Sequence, residues 1–245
     1  MYGVAFAGTA ALGWIGAIAS RAGGLGRALS DAAGAGTALL FFGLALARAR
    51  REQGGAQRFG IDLGGVIEPT DEELARTGGR GASLGRAVLD ALPQGTRETA
   101  VALGLAALIF PPFVLGFSLW HQPARAFVWS LPDDFASFVV AQLVMVALPE
   151  EAFFRGFVQT RLGDAWPPRR SLFGASVDPR ALVGQAALFA LIHLATEPRP
   201  DKLATFFPGL LFGWLRARRG GIGAAIVLHA ASNILADVLV RGWLA

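Results

Sequence analysis

FVVAQLVMVALPEEAFFR, residues 138–155, determines how the rest of the chain is interpreted. The stretch is apolar until its last third, where two adjacent carboxylates, Glu150 and Glu151, are followed by Arg155. Ionisable side chains are energetically expensive inside a membrane, so each of them needs a partner or a function. The segment therefore predicts a membrane helix that carries a polar site.

The composition of the whole chain favours lipid as its main solvent. Of 245 residues, 53% are hydrophobic and 16% are charged, whereas a soluble domain usually carries about 25% charged residues. The absence of cysteine excludes a disulfide framework, a Cys nucleophile and a Cys-based metal site. The net charge of +4 comes from arginines between apolar stretches, so we expect no nucleic-acid binding.

The apolar stretches predict an all-α fold, a polytopic transmembrane helical bundle with about seven spans, each near the ~20 residues that cross a bilayer. The predicted spans are residues 4–19, 32–47, 99–119, 135–157, 181–195, 203–217 and 221–240. We treat residues 1–245 as a single membrane domain, with its core at about 135–240 and a polar insert at 48–98 to which we assign no chemistry.

Two polar segments indicate how the bundle sits in the membrane. The insert is expected to carry a short surface helix near residues 72–76, and residues 120–134, with Trp120 and Trp129, are typical of a membrane surface. Arginine and lysine are more frequent on the side of the insert, which predicts a cytoplasmic N-terminus and an external C-terminus. The Arg-rich, Lys-poor composition suggests a bacterial inner (plasma) membrane.

The two adjacent glutamates are predicted to play different parts. Glu151 and Arg155 are four residues apart, so a helix brings them to one face, where they can form an ion pair. Glu150 is rotated by about 100° from its neighbour and faces elsewhere. One carboxylate is then neutralised and the other is available, although a purely structural charge cluster at a helix end is the alternative.

Two of the three histidines fall within predicted spans. His193 follows Phe189 by one turn in an apolar helix, where a single histidine is more commonly a packing residue. His229 and Asn233 share a helix face and can satisfy each other, and a lone intramembrane Asn more commonly strengthens helix packing. The span boundaries place His193 several ångströms from the level of Glu150, at ~1.5 Å per residue.

Together, a carboxylate, two imidazoles and a carboxamide suggest one chemical task. A buried glutamate can take a proton from water, and a histidine can help to hold that water. A second histidine and an asparagine amide can donate hydrogen bonds to an oxyanion, for which a preformed donor matters most in a dry site. The combination predicts hydrolysis by an activated water molecule.

Three segments carry a family resemblance: EEAFFRG (150–156), FALIH (189–193) and HAASN (229–233). In this order they resemble the EExxxR, FxxxH and HxxxN motifs of the CPBP family, the CAAX-processing and bacteriocin-processing (Abi) intramembrane endopeptidases. The resemblance covers about residues 140–240 and implies a catalytic core there. Family members often have eight spans, one more than predicted here.

The resemblance also implies a role for each motif residue. Glu150 would be the water-activating base and His193 its partner, whereas His229 and Asn233 would stabilise the oxyanion. The residues implied as supporting ones are Glu151, Arg155 and Phe189.

The implied substrate is a peptide bond near the C-terminus of a membrane-anchored or lipidated protein. For a bacterial chain we expect C-terminal sorting tails or bacteriocin-like peptides, as for the sorting peptidases of the myxosortase kind. The expected partners are this protein or peptide substrate and the lipid bilayer.

Zinc is the alternative to a metal-free mechanism, because one Glu and two His can hold zinc with a position open for water. The sequence has no HExxH. If Glu150 were a ligand, another residue would have to be the base, while Glu151 is expected to pair with Arg155. We therefore expect a glutamic-type endopeptidase with no cofactor.

Two other classes of membrane protein stay open. A non-catalytic immunity or scaffold protein of the same fold would not need the Glu150 carboxylate for its function. A transporter would use intramembrane Glu and His in a proton pathway, but it would be expected to show inverted repeats and broken helices. Neither is visible in the sequence.

Overall fold

The computed structural model describes residues 1–19, 23–79 and 81–244, and helices dominate them, which confirms the all-α prediction. The α-helices are α1 (Tyr2–Ala19), α2 (Gly23–Ala49), α3 (Gly55–Phe59), α4 (Asp71–Thr77), α5 (Leu84–His121), α6 (Phe135–Ala141), α7 (Leu148–Glu151), α8 (Gln159–Ala165), α9 (Pro179–Thr196), α10 (Phe206–Arg219) and α11 (Gly223–Trp243). α4 confirms the short helix expected near residues 72–76.

Two π-helical turns, one 3-10 turn and a β-hairpin complete the architecture of the described residues. The π-helical turns Gln142–Ala147 and Ala152–Val158 join α6, α7 and α8 into one continuous helix, Phe135–Ala165, which we call the motif helix. A 3-10 turn, Pro200–Thr205, precedes α10. The strands β1 (Arg170–Leu172) and β2 (Ala175–Val177) pair antiparallel as a hairpin.

Six helices of the described residues are long and apolar enough to cross a membrane. They are Tyr2–Ala19, Ala28–Ala49, Leu84–His121, Phe135–Ala165, Pro179–Thr196 and Gly223–Trp243. Residues 203–217 were expected to form a seventh span, but the helix there is too short to cross the membrane. The 3-10 turn takes up its first residues, and the 14 residues of α10 extend only about 21 Å, less than the ~30 Å of the hydrocarbon core.

α10 nevertheless returns the chain to the side of the bundle from which α11 starts. Its C-terminal Arg219 donates to the Glu98 carboxylate on α5, whereas Phe207, near its start, lines a cavity with Phe110, further along α5. α11 then begins with Gly223 beside Glu98. α10 thus runs antiparallel to α5, and α11 runs parallel to it.

Two predicted helix boundaries are wrong as well. α2 begins at Gly23, so the segment between the first two expected spans is mostly helical, and residues 20–22 lie outside the described residues. α5 begins at Leu84 rather than at 99. Alanine, leucine and arginine have high helix propensity, so the helix continues through a stretch too polar to count as a span.

The polar insert packs against the motif helix. Phe59 and Ile61 are fully buried, and a Cβ at Gly156 of the motif helix would lie 2.4 Å from Ile61 Cγ2. The next contact is a backbone hydrogen bond of 3.0 Å from Ile222 N–H to Gly60 O. The insert therefore holds the motif helix and the start of α11 together.

The β-hairpin is fastened to α10. Its turn residues, Phe173 and Gly174, have φ values of 48° and 79°, the left-handed conformation that two-residue hairpin turns require. The Trp214 indole N–H on α10 donates to Leu172 O over 2.9 Å. This bond leaves the second strand of the hairpin facing the motif helix across a cleft.

The close approach of the insert to the motif helix predicts the outcome of a double-mutant cycle. Gly156→Ala should lower the free energy of unfolding by about 1–3 kcal/mol through overpacking, and Ile61→Ala should lower it by about 2–5 kcal/mol. The double variant should be more stable than the two single effects together predict, because Ile61→Ala makes room for the new methyl group. Thermal unfolding in detergent measures all four proteins, and strict additivity would contradict the contact.

Candidate active site

Glu150 and Glu151 lie in α7, a single turn between the two π-helical turns of the motif helix. The preceding residue, Pro149, is buried and has no N–H to donate to the turn before it, which is a local reason for irregular hydrogen bonding there. A π turn changes the direction of the side chains that follow it, and such turns are frequent at functional sites.

The Glu150 carboxylate lies between two imidazoles. Its Oε2 is 3.8 Å from Nε2 of His193 and 3.8 Å from Nε2 of His229. The Glu150 side chain is 16% exposed, and Oε2 is buried with no hydrogen-bond partner in the described part of the chain. Both distances exceed a direct hydrogen bond, so the carboxylate oxygen and the two nitrogens surround a gap.

The backbone of α9 fixes the orientation of His193. Its Nδ1 lies 2.9 Å from the carbonyl oxygen of Phe189. A carbonyl oxygen can only accept, so Nδ1 carries a proton and Nε2 is the acceptor of the neutral ring. The predicted spans place His193 and Glu150 at depths that differ by several ångströms, but their side chains lie within 3.8 Å of each other. The depth of a residue depends on helix tilt as well as on its position along the span.

Behind Glu150, three buried side chains form a hydrogen-bonded chain, which we call the relay: Arg155, Glu151 and His229. Arg155 Nη1 donates to Glu151 Oε1 over 2.8 Å, which confirms the predicted ion pair. The same carboxylate oxygen lies 2.8 Å from Nδ1 of His229. Because a carboxylate orients the ring that donates to it, Glu151 directs the other nitrogen of His229 towards Glu150.

Aromatic rings enclose the relay. The Arg155 guanidinium carbon is 4.1 Å from the ring centre of Phe189 and 5.0 Å from that of Phe212. Phe212 also stacks on His229, with ring centres 5.1 Å apart and an interplanar angle of 17°. Sequence analysis missed Phe212, because an aromatic residue in an apolar helix looks the same in the sequence whether it packs on lipid or on a histidine ring.

Asn233 lies one turn beyond His229 on α11. Its Nδ2 donates to Oε1 of Gln142 in the first π turn over 2.9 Å. The suggestion that Asn233 and His229 satisfy each other is wrong, because each finds a partner on the motif helix. Gln142 was not predicted, although a carboxamide in the apolar part of residues 138–155 was a visible signal.

A cavity of about 480 Å³ reaches Glu150 and His193 from the side of α1 and α2. Small side chains and hydroxyl groups make up much of its wall, among them Thr9, Gly13, Ser30, Gly34 and Thr37. A Cβ at Gly34 would meet nothing within 4 Å, so this part of the wall borders open space. The cavity gives access to the side of the gap that Glu150 and His193 form.

The carboxylate and two imidazoles resemble a His₂Glu zinc site in composition but not in spacing. Tetrahedral zinc, at ~2.0–2.1 Å from each ligand, brings its ligand atoms to about 3.4 Å from one another, closer than the 3.8 Å measured here. In residues 1–19, 23–79 and 81–244, no group of three or more His, Cys, Asp or Glu is arranged to hold a metal. The gap as it stands is therefore wider than a tetrahedral zinc site.

Comparison with known proteins assigns the region that contains the site. Residues 132–235 match the family described as Type II CAAX prenyl endopeptidase Rce1-like. No curated protein and no solved structure gives a significant match. The matched region contains all three motifs and the whole arrangement around Glu150. Residues 132–235 are thus similar to Rce1-like endopeptidases, and this similarity supports the resemblance of the three motifs to the CPBP family.

Proposed function

We propose that this multi-pass membrane protein is a glutamic-type endopeptidase in which Glu150 activates the hydrolytic water. The observation that carries the proposal is the position of Glu150 Oε2, which is buried, lacks a protein partner among the described residues and lies 3.8 Å from both imidazole nitrogens. The similarity of residues 132–235 to a protease family supports the reaction class, and this position supports the choice of Glu150 as the base.

The first step uses Glu150 and His193. Glu150 Oε2 and the Nε2 of His193 are both acceptors, so one water molecule in the gap can donate a hydrogen to each. The water oxygen then attacks the carbonyl carbon of the peptide bond while Glu150 takes its proton. General base catalysis of this kind contributes about 10²–10⁴-fold to the rate.

The second step uses the relay. In this step His229 acts as an imidazolium, with its Nδ1–H donating to Glu151 and its Nε2–H donating to the oxyanion. Asn233 uses one amide N–H for Gln142, and its second N–H is the other proposed donor to the oxyanion. As the C–N bond breaks, Glu150 returns the proton to the leaving amine.

The proposed substrate is a segment near the C-terminus of a membrane-anchored or lipidated protein, such as a bacterial sorting tail of the myxosortase kind or a bacteriocin-like peptide. The wall of the cavity supports this class, because small residues and hydroxyl groups leave space for an extended chain and can hydrogen-bond to its backbone. The surplus of arginine on the side of the insert supports a cytoplasmic N-terminus in a bacterial plasma membrane.

Glu150→Gln should lower the rate of peptide cleavage by at least 10²-fold, because an amide cannot take the proton of the water. Glu197→Gln is the matched control, since Glu197 lines the same cavity but its side chain is 56% exposed and pairs with Lys202. In cells, comparison of membrane-protein C-termini between the wild type and Glu150→Gln should reveal the uncleaved substrates. An unchanged set of C-termini together with an unchanged cellular phenotype would favour a non-catalytic scaffold.

Removal of metal provides a separate test of the mechanism. If Glu150 is the base of a metal-free mechanism, the purified enzyme should keep its activity in a strong chelator and should contain no stoichiometric zinc by elemental analysis. Loss of activity in the chelator, followed by recovery on addition of zinc, would replace the glutamic mechanism with a zinc-dependent one.

Filling the cavity should block access to Glu150 without damage to the fold. Gly34→Leu places a side chain into open space, so the rate of cleavage should fall by about tenfold or more while the melting temperature stays the same. Gly43→Leu is the matched control on α2, because a Cβ there also meets nothing within 4 Å and Gly43 does not line this cavity. Equal activity of the two variants would exclude the cavity as the substrate path.

A further inference from the structure

A second, smaller cleft of about 200 Å³ lies between the motif helix, the β-hairpin and α10. Arg155 and Gln159 of the motif helix are buried and line its inner part, whereas Pro168 and Ser176 are exposed at its rim. The cleft and the cavity at Glu150 have no lining residue in common among the described residues. They are connected through Arg155, which lines the cleft and belongs to the relay behind Glu150.

Three residues that line the cleft have buried polar atoms without a hydrogen-bond partner within the described residues. These atoms are Arg155 Nε, Gln159 Oε1 and Arg216 Nε. A buried polar group without a partner costs about 1–3 kcal/mol, and such groups are rare in native proteins. Their concentration around one cleft indicates that a polar ligand or water completes their hydrogen bonds.

The charges favour an anion. Arg155 and Arg216 both line the cleft. Arg216 Nη2 donates to the carbonyl oxygen of Arg58 over 3.4 Å, and the charge of the Asp62 carboxylate also acts on Arg216. The acidic group of the lining, Asp178, has both oxygens bound by Arg180 at 3.0 Å, which neutralises it. Guanidinium groups match the geometry of oxyanions better than that of single-atom anions.

We propose that this cleft binds a phosphate group between Arg155 and Arg216, with the Ser176 hydroxyl at its entrance. The phosphate is either inorganic phosphate or the headgroup of an anionic lipid. A lipid headgroup is one source because the cleft lies beside α8, where the motif helix ends. The binding itself does not depend on the proposed protease mechanism, so a failure of one leaves the other untouched.

Binding at this place reaches the relay through one side chain. The Nη1–H of Arg155 donates to Glu151. An anion bound at Nε of Arg155 interacts with the same guanidinium charge as Glu151 does. The charge at Glu151, whose Oε1 accepts from both Arg155 and His229, is then altered. Under the proposed function, occupancy of the cleft adjusts the donor that faces the oxyanion.

The test is thermal unfolding of the full chain in a neutral detergent, with inorganic phosphate titrated against sodium chloride at equal ionic strength. Phosphate should raise the melting temperature by about 2–4 °C in a saturable manner. Arg216→Gln should abolish the shift, and Ser176→Asp should weaken it by placing a carboxylate at the exposed rim. Arg97→Gln removes an exposed positive charge and should leave the shift intact.

A second arm replaces inorganic phosphate with short-chain phosphatidylglycerol, with phosphatidylcholine as the uncharged comparison. A shift that only phosphatidylglycerol produces, and that Arg216→Gln removes, assigns the site to a lipid headgroup. No saturable shift with either probe, or a shift that survives both Arg216→Gln and Ser176→Asp, would overturn the proposal and leave the cleft to water.

Discussion

The buried pair of Glu151 and Arg155 is the interaction on which the rest of the site depends. Both side chains are fully buried, and removing one partner of such a pair commonly costs about 3–5 kcal/mol because the other charge is left unpaired. Aromatic rings and a histidine stabilise the pair in addition to its own ion pair. Phe189 and Phe212 cover the guanidinium, and His229 donates to the carboxylate. The motif helix, α9, α10 and α11 therefore meet at one charge pair.

This arrangement explains how two adjacent glutamates have different environments. Glu151 is used for structure, because its Oε1 accepts from both Arg155 and His229. Glu150 is one residue earlier and faces the gap between the two histidines, and its Oε2 has no hydrogen-bond partner among the residues that the structure describes. In the proposed mechanism, reactivity and stability are therefore assigned to separate carboxylates, and the buried charge of Glu151 orients the His229 ring beside Glu150.

Parts of the chain with no motif contribute to this geometry. The insert buries Phe59 and Ile61 against the motif helix and binds the start of α11 through Gly60. α10 is too short to count as a span, yet it supplies Phe212 to the relay and the carbonyl oxygen of Gly209 to Arg155, 3.4 Å from Nη2. The positions of His229 and Arg155 therefore depend on segments that sequence analysis left without a function.

The sequence by itself determined what is local. Apolar length predicted helices in a membrane, and the four-residue spacing of Glu151 and Arg155 predicted their ion pair, because helix periodicity relates neighbours within one element. Only the tertiary structure decided what depends on several elements: the level of His193 against Glu150, the partner of Asn233, and the place of Phe212 on His229. These follow from the tilt and packing of separate helices, and a rule of spacing along one helix contains no information about the distance to the next.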